Sequence, residues 1–221
     1  MAWPQYQYPQ PGGFRFSRRE LREIAISVLV LTLAFAIFFS GGIDGLAREP
    51  GRSMFAYVFV ISFLAVLTAF FFHEMAHKFL AQRYGCWAEY SYYVTGLLFA
   101  IVTSMFGIIF AAPGAVIIGG NITVEENGKI SAAGPVTNLS IGAIFAAIYF
   151  VVRPFLIPVF PFGLDLARIF YLLAWINVVL GGFNLIPFPP LDGSKIFRWS
   201  VAVYVLLVVA AVGLFAALYL L

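Results

Sequence analysis

The stretch FFFHEMAHKFL, residues 70–80, holds both histidines of the chain, His73 and His77, with Glu74 between them. On a helix, residues four apart share one face, about 6 Å apart along the axis. Two neutral imidazoles at that spacing can share one zinc ion. Glu74 then stands beside the metal, placed to take a proton from a water on it. Zinc also needs a third protein ligand and an open position. No third histidine exists, and the single cysteine, Cys86 in YGCW, is a weak candidate. The acidic candidates are Asp44, Glu49, Glu89, Glu125, Glu126, Asp165 and Asp192. Asp192 closes NLIPFPPLDGSK, where Pro187, Pro189 and Pro190 break a helix and let an extended segment fold back. From that local pattern alone, Asp192 reads equally well as a ligand or as part of a turn or N-cap.

The elements that must position these residues belong to a bilayer. Hydrophobic residues make up 62% of the 221-residue chain and charged residues 10%, against about a quarter charged in a soluble domain. The charges are segregated, leaving uncharged blocks at 24–43, 53–72, 90–124, 130–152, 169–191 and 199–221. A helix needs about 20 apolar residues to cross the hydrocarbon core. The composition predicts an all-α polytopic membrane protein with about six transmembrane or re-entrant segments. Its net charge of +3 lies in the loops between them, which suits membrane topology and not nucleic-acid binding. Arg15, Arg18, Arg19 and Arg22 before the first block read as a retained signal anchor. Residues 1–16, rich in Pro, Gln, Tyr and Gly, read as a disordered cytosolic tail. Residues 17–221 read as a single membrane domain with its core at 53–199.

The 35-residue block 90–124 reads either as an ordinary span with a glycine-rich exit loop or, better, as a broken re-entrant element. Pro113-Gly114, Gly119-Gly120 and the turn-prone Asn127-Gly128 predict a helix over 97–111, then a strand over 116–124. A small membrane-associated β element near 113–124 is therefore expected. Irregular backbone at membrane depth must be covered by protein or line a hydrated cavity, which favours re-entry beside a wet site. With the block re-entrant, nine basic residues (Arg15, Arg18, Arg19, Arg22, Lys78, Arg83, Lys129, Lys195 and Arg198) fall on the inside and four on the outside. The N-terminus and the active-site side are accordingly expected in the cytoplasm, in a multi-pass cell-membrane protein.

HEMAH, AAGPVTN at 132–138 and NLIPFPPLDG at 184–193 together resemble the motifs, in order, of the site-2 protease family of intramembrane zinc metalloproteases. The resemblance implies one zinc ion per chain, held by His73, His77 and Asp192, with Glu74 activating water. Asn184 matches the asparagine of the last motif, and as an amide donor near Asp192 it is a candidate to bind substrate backbone or stabilise an oxyanion. Gly134, Pro135 and Asn138 match the motif that helps pack the catalytic helices. The implied substrates are transmembrane proteins in the surrounding lipid bilayer, cut in regulated intramembrane proteolysis; the oligomeric state is not implied. The chain departs from the family in Ala76, where glycine is common, in DGSK instead of DGG, and in lacking PDZ or CBS modules. Another membrane HExxH peptidase of the prenyl-protein or stress type would take a glutamate as third ligand, and the later apolar blocks contain none. A non-catalytic metal binder would have no need of Glu74.

Overall fold

The computed structural model describes residues 14–155, 157–160 and 164–220. Most of the expected N-terminal tail, residues 1–13, lies outside the described residues. Helix α1 (Arg18–Phe39) starts at Ser17, whose hydroxyl accepts the Glu20 N–H at 3.1 Å. After the short α2 (Gly42–Leu46), one continuous 33-residue rod is formed by α3 (Gly51–Val66), a π-turn (Leu67–Phe71) and α4 (Phe72–Arg83). Strand β1 (Trp87–Tyr92), α5 (Val94–Met105) and β2 (Gly114–Gly119) follow. Helix α6 (Val124–Val152) opens with a reciprocal cap between Thr123 and Glu126. A short hairpin, β3 (Pro158–Phe160) with β4 (Leu164–Asp165), leads into α7 (Leu166–Asn184), then α8 (Asp192–Trp199) and α9 (Val201–Leu220).

Among the described residues, five helical segments are long and apolar enough to cross a membrane, and α5 is a shorter apolar helix. The protein is an all-α polytopic membrane protein with one small sheet at the site. Lipid tails are as apolar as leucine, so helices in a bilayer associate through close packing and polar contacts instead of hydrophobic burial. α6 and α7 show this directly. Gly142 packs against Val178 and the Ala174 carbonyl, and Gly181 against Asn138, so the two backbones approach closely. α6 also lies antiparallel to α4, with Asn138 beside His73 and Ile130 beside His77.

The block 90–124 folds back on itself. β1 and β2 pair antiparallel with Tyr90 opposite Val116, and the Tyr93 N–H donates to the Pro113 carbonyl at 2.9 Å. Between them α5 runs out to the region of Gly42 and an extended stretch returns. Three local expectations need correction. The helix occupies Val94–Met105 and not 97–111, because Ile108 N turns back to the Thr103 carbonyl and Phe110 N to the Thr103 hydroxyl. The strand is Gly114–Gly119 and not 116–124, since the Thr123 cap has already committed Val124 to α6. Asn127-Gly128 is no turn: it lies inside α6, where a side chain at Gly128 would collide with Trp199.

Candidate active site

His73 and His77 project from α4 onto α6, both buried. Their Nε2 atoms lie 3.0 Å apart. Oδ2 of Asp192, at the start of α8, is 3.3 Å from His73 Nε2 and 3.1 Å from His77 Nε2. These three are the group of potential metal ligands found among the described residues. Gly134 of α6 makes the approach possible, since a Cβ there would stand 2.5 Å from His77 Nε2 and 2.6 Å from His73 Nε2. Each imidazole is fixed from behind. His73 Nδ1 donates to Oδ1 of Asn138 at 2.5 Å, and His77 Nδ1 donates to the Ile130 carbonyl at 2.8 Å. With both Nδ1 positions protonated, both Nε2 lone pairs face the Asp192 carboxylate across a space that calls for a cation.

The donor set fits zinc. Ligand atoms around a tetrahedral zinc at bonds of about 2.0–2.1 Å stand about 3.3 Å apart, close to the separations here. Of the other acids weighed above, Glu49 pairs with Arg52, Glu125 with Lys129, Glu126 caps α6 and Asp165 caps α7, and neither Asp44 nor Glu89 joins the group. Lys195 stands 3.6 Å from the second oxygen of Asp192. His73 is ten residues from the end of α4 at Arg83, about 15 Å along a helix, so the cluster lies well inside the span.

Glu74 does not join the cluster. Its Oε2 accepts the Val116 N–H of β2 at 3.1 Å. Because Tyr90 N points away from β2 toward Glu20, and Val116 lies opposite Tyr90, the outward backbone groups of β2 belong to Gly114, Val116 and Ile118. The sheet therefore presents its free edge to Glu74. Of the remaining expected residues, Pro135 and Asn138 are buried in α6, while half-buried Asn184 donates its amide to the Leu180 carbonyl at 3.0 Å.

Comparison with known proteins shows the family. A protein of Methanocaldococcus jannaschii provisionally named zinc metalloprotease MJ0611 is 34% identical over 206 residues, which cover 90% of this chain and 94% of the relative. The sequence model of peptidase family M50 matches residues 161–205, across Asn184 and Asp192. The chain belongs to peptidase family M50, the site-2 proteases. Zinc metalloprotease MJ0392 of the same archaeon is 28% identical over 162 residues, 73% of this chain and 39% of the relative. A Mycobacterium tuberculosis protein, provisionally named as a zinc metalloprotease, is 31% identical over 134 residues, covering 60% of this chain and 29% of its own length. No solved structure matches the chain significantly.

Several residues of this M50 site were not legible from motifs. Lys78, counted above as a loop charge, is fully buried; its Nζ donates to both carboxylate oxygens of Glu20 at 2.7 Å and to the Ala88 carbonyl at 2.9 Å. It therefore carries no weight in the topology count. Glu20 also accepts the Tyr90 N–H, and Glu23 the Tyr92 N–H. The available signal was a pair of glutamates at the mouth of an apolar helix, each needing a partner. Tyr90 ties the sheet to α1 by donating its hydroxyl to Ser27 at 2.9 Å. Asn177 gave no signal at all, being one polar residue in an apolar helix.

Proposed function

We propose that this protein is an intramembrane zinc metalloprotease that cuts peptide bonds within or near transmembrane segments of other membrane proteins, as in regulated intramembrane proteolysis. The observation that carries this reading is the convergence of His73, His77 and Asp192, buried beside a glutamate that touches the free edge of a strand. His73, His77 and Asp192 hold the metal, with Gly134 and Pro135 keeping α6 close to them. Zinc, when bound, supplies Lewis acidity at the scissile carbonyl. Glu74 takes the proton from the attacking water and delivers it to the leaving amine.

A transmembrane helix hides its peptide bonds in its own hydrogen bonds, so the substrate must be unwound to be cut. Gly114, Val116 and Ile118 offer outward backbone groups on which an extended segment can pair as a third strand. A substrate carbonyl that takes the Val116 N–H also releases Glu74 from it. Asn184 Nδ2 has a second N–H, besides the one held by the Leu180 carbonyl, with which to donate to a developing oxyanion. On the positive-inside rule, with Arg15, Arg18, Arg19 and Arg22 at the start of α1 and Arg83 at the end of α4, the N-terminus and the site face the cytoplasm.

The test is Glu74→Gln in the full chain, reconstituted with a membrane-spanning substrate. Zinc content should stay at one ion per chain while cleavage falls by about 10²–10⁴-fold. Retained cleavage would overturn the mechanism, and loss of zinc would show that Glu74 is a ligand instead.

A further inference from the structure

Behind His73 lies a line of buried amides. Asn138 accepts the His73 Nδ1–H on its Oδ1. Its Nδ2 donates to the Ala69 carbonyl at 2.8 Å and to Oδ1 of Asn177 at 3.2 Å. Asn177 in turn donates from Nδ2 to the Thr68 hydroxyl at 3.1 Å and to the Leu173 carbonyl at 2.9 Å. Both asparagines are fully buried. Thr68 and Ala69 sit in the π-turn immediately before HEMAH, and π-turns of this kind recur at functional sites.

A primary amide has two ends of nearly the same shape and opposite hydrogen-bonding sense. Which end faces His73 decides the tautomer of the ring. A carbonyl facing Nδ1 requires a proton there and leaves Nε2 as a lone pair for the metal. An NH2 facing Nδ1 would place the proton on Nε2, and that nitrogen could no longer coordinate. Asn138 cannot reverse while both neighbours of its NH2 group are acceptors. The Ala69 carbonyl is an acceptor by nature. Asn177 Oδ1 is one only because the Asn177 NH2 is already held by Thr68 and Leu173.

We propose that Asn177 is a positioning residue for metal binding: it orients the Asn138 amide and thereby selects the His73 tautomer that offers Nε2 to zinc. This rests on the reading of His73 as a ligand. It adds a role for α7 beyond carrying the chain toward Asp192. Asn177 touches neither metal nor substrate and acts through Asn138.

The experiment compares Asn177→Leu with Asn177→Asp in the full-length protein, by competition titration with zinc alone and by ¹⁵N NMR of the histidine rings. Leucine and aspartate both fill the asparagine volume, but only aspartate keeps an acceptor for Asn138. Asn177→Leu should bind zinc about 10–100-fold more weakly and show the His73 ring protonated at Nε2 in the metal-free protein. Asn177→Asp, which keeps the acceptor for Asn138, should bind zinc more tightly than Asn177→Leu and keep the His73 proton on Nδ1. Thr68→Val, which removes one anchor of Asn177, should weaken zinc in the same direction by a smaller factor and serves if the leucine variant does not fold. Equal affinity in wild type and Asn177→Leu, equal losses in the leucine and aspartate variants, or an unmoved Thr68→Val would overturn the proposal. His73→Ala, titrated alongside, must lose zinc; if it does not, the ligand assignment has failed and not the role of Asn177.

Discussion

Along the outer edge of β1, backbone groups are covered by charged side chains. Glu20 takes the Tyr90 N–H, Glu23 the Tyr92 N–H, and Lys78 the Ala88 carbonyl. Along the outer edge of β2, the contact of this kind is the Val116 N–H on Glu74. Unpaired strand edges recruit other strands, and proteins close the ones they do not use. At membrane depth the need is greater, because no bulk water is present to satisfy what is left over. The difference teaches that the sheet has one direction of growth. A third strand can join at β2, beside the His73, His77 and Asp192 cluster, and not at β1, where the buried Glu20–Lys78 pair and the Glu23 carboxylate occupy its place.

The largest test attacks the closed edge. Lys78→Met leaves the Glu20 carboxylate buried without its cation, and breaking such a pair costs about 3–5 kcal/mol. Unfolding of the detergent-solubilised protein should show that loss. Adding Glu20→Gln should recover most of it, because the uncompensated charge is then gone. A single variant as stable as wild type would mean that the β1 edge is not held as described.

The next test attacks the open edge. Val116→Pro removes an outward N–H that no β1 residue uses, so the sheet ladder survives. Cleavage of a membrane-spanning substrate should fall about tenfold, the value of one lost backbone hydrogen bond at about 1.4 kcal/mol. Zinc content should not move. Unchanged cleavage would remove strand pairing from the mechanism. The smallest expected effect is that of Glu23→Gln, which keeps an acceptor for Tyr92 N but loses the ion pair with Arg19. Stability should drop by about 1 kcal/mol or less, with cleavage unaltered.

The legible part of the site was local. Four-residue spacing puts His73 and His77 on one face whatever the helix packs against, and prolines 187, 189 and 190 end α7 without help from the rest of the chain. The strand near 113–124 was expected because glycine and proline interrupt an apolar run, but its register and end were not. Those depend on Thr123 capping α6 and on Glu20 and Glu23 arriving from α1. Lys78 was misread for the same reason, since its partner lies 58 residues away.

By itself the sequence determined that the chain lives in a bilayer and carries a paired-histidine metal motif with a glutamate between, because composition and helical period are properties of neighbouring residues. It left the third ligand to resemblance. Tertiary structure alone decided that Asp192 meets His77, that Asn138 and Asn177 stand behind His73, and that one sheet edge faces Glu74 while the other is sealed. These are contacts between residues far apart in the chain, and they exist only once α4, α6, α7 and the re-entrant block pack closely enough for buried polar groups to find partners instead of lipid.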